Sequence, residues 1–210
     1  MNRSYVIVTL SLFTWGMGEG LFLYFQPLYL QQLGADPVLI GTILGVMGLV
    51  MALAQIPAGI LADKIGSRTL MIISWLIGSV AAIMMALAKS LPLFAIGVIL
   101  YGASGFSTSA INRYIVGVRG KFSVGRALTL TSGLFNLGAV LGPVTGGRLA
   151  HLYGFSALYL VAFVIFVIST LLLLLIEKNP PLHHEDQQSA AARGITRNSA
   201  FMLFAAIIFF

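Results

Sequence analysis

Hydrophobic positions along this chain fall in long continuous runs, with none of the alternation that marks a half-buried strand. Six runs stand out: roughly Tyr5–Leu33, Val38–Ala62, Thr69–Lys89, Pro92–Gly117, Ala127–Ala150 and Phe155–Ile176. Each is near the ~20 residues that an α-helix needs to cross a ~30 Å hydrocarbon layer. Inside lipid the backbone must satisfy its own hydrogen bonds, which leaves helices or a closed barrel, and continuous runs select helices. The pattern predicts an all-α, polytopic membrane helix bundle with six transmembrane helices. A seventh run, Ser199–Phe210, has only twelve residues and is too short to cross a bilayer. It reads as the start of a seventh helix, truncated; an interfacial tail is the alternative, but the run has no polar face to float on.

The ends of the runs carry helix punctuation. Asp36-Pro37 separates the first two, Ser90-Leu91-Pro92 opens the fourth, and Gly154 stands between the fifth and sixth. The stretch 177–198, "EKNPPLHHEDQQSAAARGITRN", is the one long hydrophilic connector. The expected organisation is therefore a six-helix transmembrane domain over 1–176, a cytoplasmic linker over 177–198 and the seventh helix from 199. The first run is much longer than the apolar core of a secretory signal and has no small-residue cleavage site after it.

Composition sharpens this. The 210 residues are 59% hydrophobic and 9% charged, far from the balance of a water-soluble domain. There is no cysteine, which excludes disulfides and thiolate chemistry. The net charge of +6 would suit nucleic acid only if the bases formed a stripe, and they do not. With a cytoplasmic N-terminus, the inside receives Arg3, Lys64, Arg68, Arg113, Arg119, Lys121, Arg126, Lys178, Arg193 and Arg197, and the outside only Lys89 and Arg148. That asymmetry is a positive-inside pattern, so the expected location is the cell membrane, multi-pass, with the lipid bilayer rather than nucleic acid as partner.

The stretch "GILADKIGSR", Gly59–Arg68, is a compact charged knot between oily segments, expected in a tight cytoplasmic loop between the second and third helices. Lys64 and Arg68 alone would read as ordinary anchors at an anionic leaflet. Asp63 needs another reason, because acids contribute little to orientation; a neighbouring base such as Arg113 is a candidate partner. Gly66 suits a left-handed turn. This stretch resembles the loop signature of the major facilitator superfamily: Gly59, three residues, Asp63, the base Lys64, then Gly66 and Arg68. Gly138–Gly147, "GAVLGPVTGG", is similar to the fifth-helix pattern of the antiporter branches of that superfamily, notably drug/proton exchangers, through Gly138, Gly142, Pro143, Gly146 and Gly147. The resemblance implies a 3+3 helix repeat, and a second six-helix half as the missing partner. It departs from the exporter pattern in the fourth helix, "AIGVILYGASG", where Val98 stands in the place of an arginine.

Pro143 cannot donate to the carbonyl of Ala139 and should bend its helix. Gly138, Gly142 and Gly146 share a face that admits close packing. Two uses are open: a seal against the missing half, or a tight seam without functional meaning.

Glu19 is the most informative polar residue, equidistant from the ends of the first run. A charged, unpaired acid at that depth costs about 2.5–3.5 kcal/mol, so it is expected to be protonated or paired. It is a proton-coupling candidate, with a structural acid bonded between helices as the alternative. Trp15, Glu19 and Gln26 share a face by helical spacing and are expected to line a cavity. Asn136, and more weakly Gln55 and the cluster Ser104, Ser107, Thr108 and Ser109, are further lining candidates, although such side chains commonly bond their own helix. His183 and His184 read as residues of a solvated connector, and no metal site is expected.

These features favour a secondary transporter of a small-molecule substrate, nominally by proton-coupled efflux, with the proton gradient as energy source and no cofactor. Uptake or facilitated diffusion stays open because the fourth-helix base is absent. An enzyme is disfavoured: no span holds a histidine, an H-E-x-x-H or a G-x-S-x-G. A non-transporting scaffold is the remaining alternative.

Overall fold

The computed structural model describes residues 2–178. The expected linker beyond Lys178 and the seventh-helix start lie outside the described residues. Among those described there are helices and no strands: α1 Arg3–Phe22, a 3₁₀ turn Leu23–Phe25, α2 Gln26–Gln32, α3 Pro37–Ile65, α4 Ser67–Leu87, α5 Leu91–Ser104, a 3₁₀ turn Gly105–Ser107, α6 Thr108–Val118 and α7 Val124–Leu174. Taking α1–α2 and α5–α6 as interrupted single spans, five helices are long and apolar enough to cross a membrane.

The last of these makes two passes. At 51 residues it would extend about 76 Å if straight, more than twice the hydrocarbon thickness. It reverses at Gly154, where φ is 79° and ψ 170°, a conformation essentially restricted to glycine. The contacts show the reversal directly. Tyr5 donates to the carbonyl of Ala127 at 3.0 Å, and the backbone N–H of Glu177 donates to Ser4 Oγ at 3.3 Å. The start of the first limb (124–153) and the end of the second limb (155–174) therefore meet the same end of α1. Gly66, with φ 83°, makes an equally abrupt reversal between α3 and α4.

Two faces follow. One gathers Asn2, Gly66, Gly120 and Glu177: Arg68 Nη2 donates to the carbonyl of Leu174 at 2.8 Å, and Tyr114 donates to that of Glu177 at 2.9 Å. The opposite face holds Gly154, with Tyr29 donating to the carbonyl of Ala88 at 3.1 Å and sharing a hydrogen bond with Ser156 Oγ at 3.2 Å. Helix starts are capped locally. Asn2 accepts from Ser4 N–H at 2.9 Å and Asp36 from Leu39 N–H at 2.8 Å, using side-chain oxygens to fill orphan donors.

The bundle centre is aromatic. Trp15 stacks on Phe166 with centroids 3.9 Å apart, tilts against Trp75 at 4.6 Å, and fits because Gly78 offers no side chain there. Hydroxyls bridge the spans. Ser11 and Ser169 lie 2.9 Å apart, and Trp75 Nε1 donates to Ser169 Oγ at 2.8 Å. Such bonds hold helices together where lipid supplies no hydrophobic drive.

The tightest seam joins α1 to the first limb of α7, and the fifth-span glycine face lies in it. The Gly138, Gly142, Gly146 face meets α1, not a surface left open for another half. A Cβ at Gly142 would lie 2.2 Å from the carbonyl carbon of Gly20, at Gly138 2.3 Å from the Phe13 oxygen and at Gly146 2.4 Å from the Leu21 oxygen. α1 answers with its own glycines. A Cβ at Gly16 would sit 2.2 Å from the Phe135 oxygen, and at Gly20 2.2 Å from the Ala139 oxygen. A glycine hydrogen occupies each of those directions, so Cα–H groups aim at carbonyls across the seam, worth about 0.5–1 kcal/mol each. The Ala139 carbonyl is the one that Pro143 leaves without an N–H donor. Gly147 lies outside the tight contact, 3.6 Å from the Phe25 ring by the same measure.

Placing Ala at Gly142 should cost about 1–3 kcal/mol or more, because backbone on the far side cannot yield. Gly133→Ala, whose Cβ meets open space, should be tolerated. Thermal unfolding of the detergent-solubilised protein, followed by monodisperse yield, separates the two.

Candidate functional site

The first and fourth spans are both interrupted, and both interruptions border one cavity. Pro27 lacks an N–H and crowds the carbonyl of Leu23, and the helix tightens to 3₁₀ over Leu23–Phe25. In the fourth span the break falls at Gly105–Ser107, where hydroxyls take up carbonyls: Ser74 Oγ donates to Ser104 O, Ser104 Oγ to Tyr101 O, and Thr108 Oγ1 to Gly105 O. Ser107 Oγ donates to Ser74 Oγ at 2.8 Å, tying the break to α4. Side chains thus replace helical bonds lost at membrane depth.

The cavity has a volume of about 510 Å³ and is walled by the first five spans. α1 contributes Trp15 and Glu19, α3 Met47 and Met51, α4 Ser74 and Trp75, the fourth span Tyr101 and Asn112, and the first limb of α7 Phe135 and Asn136. Met47 and Met51 reach the wall because Gly102 and Gly105 let α3 cross the fourth span closely. Glu19 is the one carboxylic acid among the lining residues, none of which is a base. Its carboxyl faces the Tyr101 hydroxyl, and Trp15 stands one helical turn away. The setting is aromatic and sulfur-rich around a single acid.

The sequence candidates distribute as follows. Trp15, Glu19 and Asn136 line the cavity; the Asn136 amide donates to Ser132 O at 2.8 Å. Gln26 does not line it, contrary to the spacing argument. Three residues of 3₁₀ turn add about 60° of rotation beyond an α-helix, which carries α2 out of phase with α1. Gln26 is instead buried on the far side of the break. Ser104, Ser107 and Thr108 line the cavity while bonding backbone or α4, whereas Gln55 and Ser109 are exposed away from it. Val98, in the place of the exporter arginine, is fully buried in the core. The polar group that the fourth span does present to Glu19 is Tyr101, one turn further on, which sequence reasoning passed over.

The charged knot is more helical than expected. α3 continues to Ile65 and α4 begins at Ser67, so Asp63 and Lys64 occupy the last turn of α3 and Gly66 alone is the link. The reason is that Lys64 complements the helix C-terminus and Gly66 reverses the chain without a longer loop. Gly59 lies within α3. Arg113 on α6 pairs with Asp63, and Arg68 caps the end of the second α7 limb through Leu174 O.

The sequence profile described as Major Facilitator Superfamily matches residues 8–210. An uncharacterized MFS-type transporter of Methanocaldococcus jannaschii is 29% identical over 155 residues, which cover 73% of this chain and 40% of that protein. The quinolone resistance protein NorA of Staphylococcus aureus is 27% identical over 179 residues, covering 80% of this chain and 45% of the relative. The chain therefore spans less than half the length of these relatives.

The Asp63 and Arg113 side chains are 67% and 42% exposed, so their pair is screened. Asp63→Asn should change stability by less than about 1 kcal/mol. Thermal unfolding at low and high salt tests this; a larger or salt-insensitive loss would mean that the pair is not screened.

Proposed function

The chain belongs to the Major Facilitator Superfamily, and from that premise we propose that it forms the six-pass N-terminal half of a secondary transporter exporting a small solute in exchange for protons. Its family is one of transporters rather than enzymes. The observation that carries the finer reading is Glu19: a lone carboxyl near mid-depth, in a cavity with aromatic walls, facing Tyr101 and opposed by no base. An acid kept at that depth against its desolvation cost marks a proton or cation pathway. The fifth-span glycines, and the relative named for quinolone resistance, support a multidrug-type exporter.

In this reading the missing half closes the cavity from the opposite side, and the two halves rock about a site at mid-depth. The protein sits in the cell membrane with its N-terminus and the Gly66 face in the cytoplasm. That places Arg3, Lys64, Arg68, Arg113, Arg119, Lys121, Arg126 and Lys178 on the positive side, with Lys89 and Arg148 opposite. Energy comes from the proton gradient, without a cofactor. The buried Val98, standing where an exporter's base would be, favours uptake or facilitated diffusion as the second reading.

Glu19→Gln in the complete protein tests the coupling. With ethidium as a cationic probe in proteoliposomes, transport driven by a pH gradient should fall by about 10²-fold. Undiminished proton dependence would rule the exchange mechanism out.

A further inference from the structure

Two buried side chains outside the cavity lining carry polar atoms that nothing among the described residues satisfies. Gln26 in α2 is 1% exposed and Tyr159 in the second limb of α7 is fully buried, yet the Gln26 amide nitrogen and the Tyr159 hydroxyl have no hydrogen-bond partner. A membrane protein interior penalises such groups, and most buried ones are satisfied. The third orphan among the described residues, Arg68 Nε, lies at the Gly66 face. Neither Gln26 nor Tyr159 lines the solute cavity.

Their placement is directional. From Glu19 the first polar neighbour is Tyr101, whose ring meets Phe22 at 5.0 Å. Phe22 packs on Tyr159 at 5.3 Å, and Tyr159 stacks on Tyr29 at 5.8 Å, with Gln26 between Phe22 and Tyr29 in the first span. The Tyr29 hydroxyl then meets Ser156 Oγ, and Ser156 is exposed at the Gly154 face. The rings of Tyr101, Phe22, Tyr159 and Tyr29 thus pack in series from the acid toward one surface, and the two orphan polar groups belong to that stretch of the first and sixth spans.

Resting on the reading of Glu19 as proton carrier, we propose that Gln26 and Tyr159 are stations of a buried proton path joining Glu19 to the Gly154 face. Water carries the proton between stations. The Tyr159 hydroxyl accepts one proton on oxygen and releases its own onward, ending neutral, while the Gln26 amide orients the water and is not itself protonated. Tyr101 from the fourth span is the titratable group facing Glu19, and Tyr29 from α2 the one facing Tyr159; Phe22 and Phe94 also pack on the Tyr159 ring.

The test uses the complete protein in sided membrane vesicles, with pH jumps applied from the Gly154 side. Tryptophan fluorescence is the readout, because Trp15 lies one turn from Glu19 and no substrate is needed. Tyr159→Phe keeps the ring packing, and Gln26→Met keeps the side-chain length. Each should slow the fluorescence phase roughly tenfold, the rate equivalent of one lost hydrogen bond on the path, without moving its midpoint pH. Glu19→Gln should abolish the phase. Wild-type rates in both path variants, with the phase still lost in Glu19→Gln, would overturn the path alone. Altered midpoint or thermal stability at an unchanged rate would make the two residues structural and also overturn it. A phase surviving in Glu19→Gln would bring down the carrier reading, and the path with it.

Discussion

Backbone lies against backbone where α1 crosses the first limb of α7, and the rest of the bundle is arranged around that contact. Glycines on both helices remove the side chains that would hold the axes apart, and carbonyls of each helix face Cα–H groups of the other. Glu19 sits beside this seam, between Gly18 and Gly20. One side of its helix is locked to α7, so its carboxyl is held toward the cavity and Tyr101. Pro143 belongs to the same arrangement: the carbonyl that it deprives of a donor is the one approached by Gly20. The glycine motif of the fifth span therefore packs on the helix that carries the acid.

Much of this architecture was legible from the chain alone. Lipid imposes a coarse rule, long apolar runs closed on their own hydrogen bonds, and the six runs obey it; Gly154 and Gly66 were visible as punctuation because only glycine tolerates their dihedral angles. The interior of the spans was less legible. The effect of Pro27 on the phase of α2 depends on how the chain absorbs a missing donor, and the spacing argument for Gln26 assumed an unbroken helix. The break at Gly105–Ser107 has no proline to announce it and is held by Ser74 from another span.

The cavity shows the same division. Trp15, Glu19 and Asn136 could be placed in it by depth and helical spacing. Met47, Met51, Trp75 and Tyr101 could not, because long-range helix crossings bring them there. Tyr101 in particular looks like one more aromatic in an apolar run until its hydroxyl is seen opposite a carboxyl. The asymmetry is physical: periodicity reports which face of a helix is apolar, whereas a cavity is formed by what several helices fail to fill.

The single-residue links have a geometric consequence. With only Gly66 between α3 and α4, and only Gly154 between the limbs of α7, each pair is a hairpin closed by a single residue. The 3₁₀ segments of the first and fourth spans border the cavity instead, and these spans have longer links at their ends, 33–36, 88–90 and 119–123. The turns of the frame thus rest on single glycines, whereas the two interrupted spans meet at the cavity beside Glu19 and Tyr101.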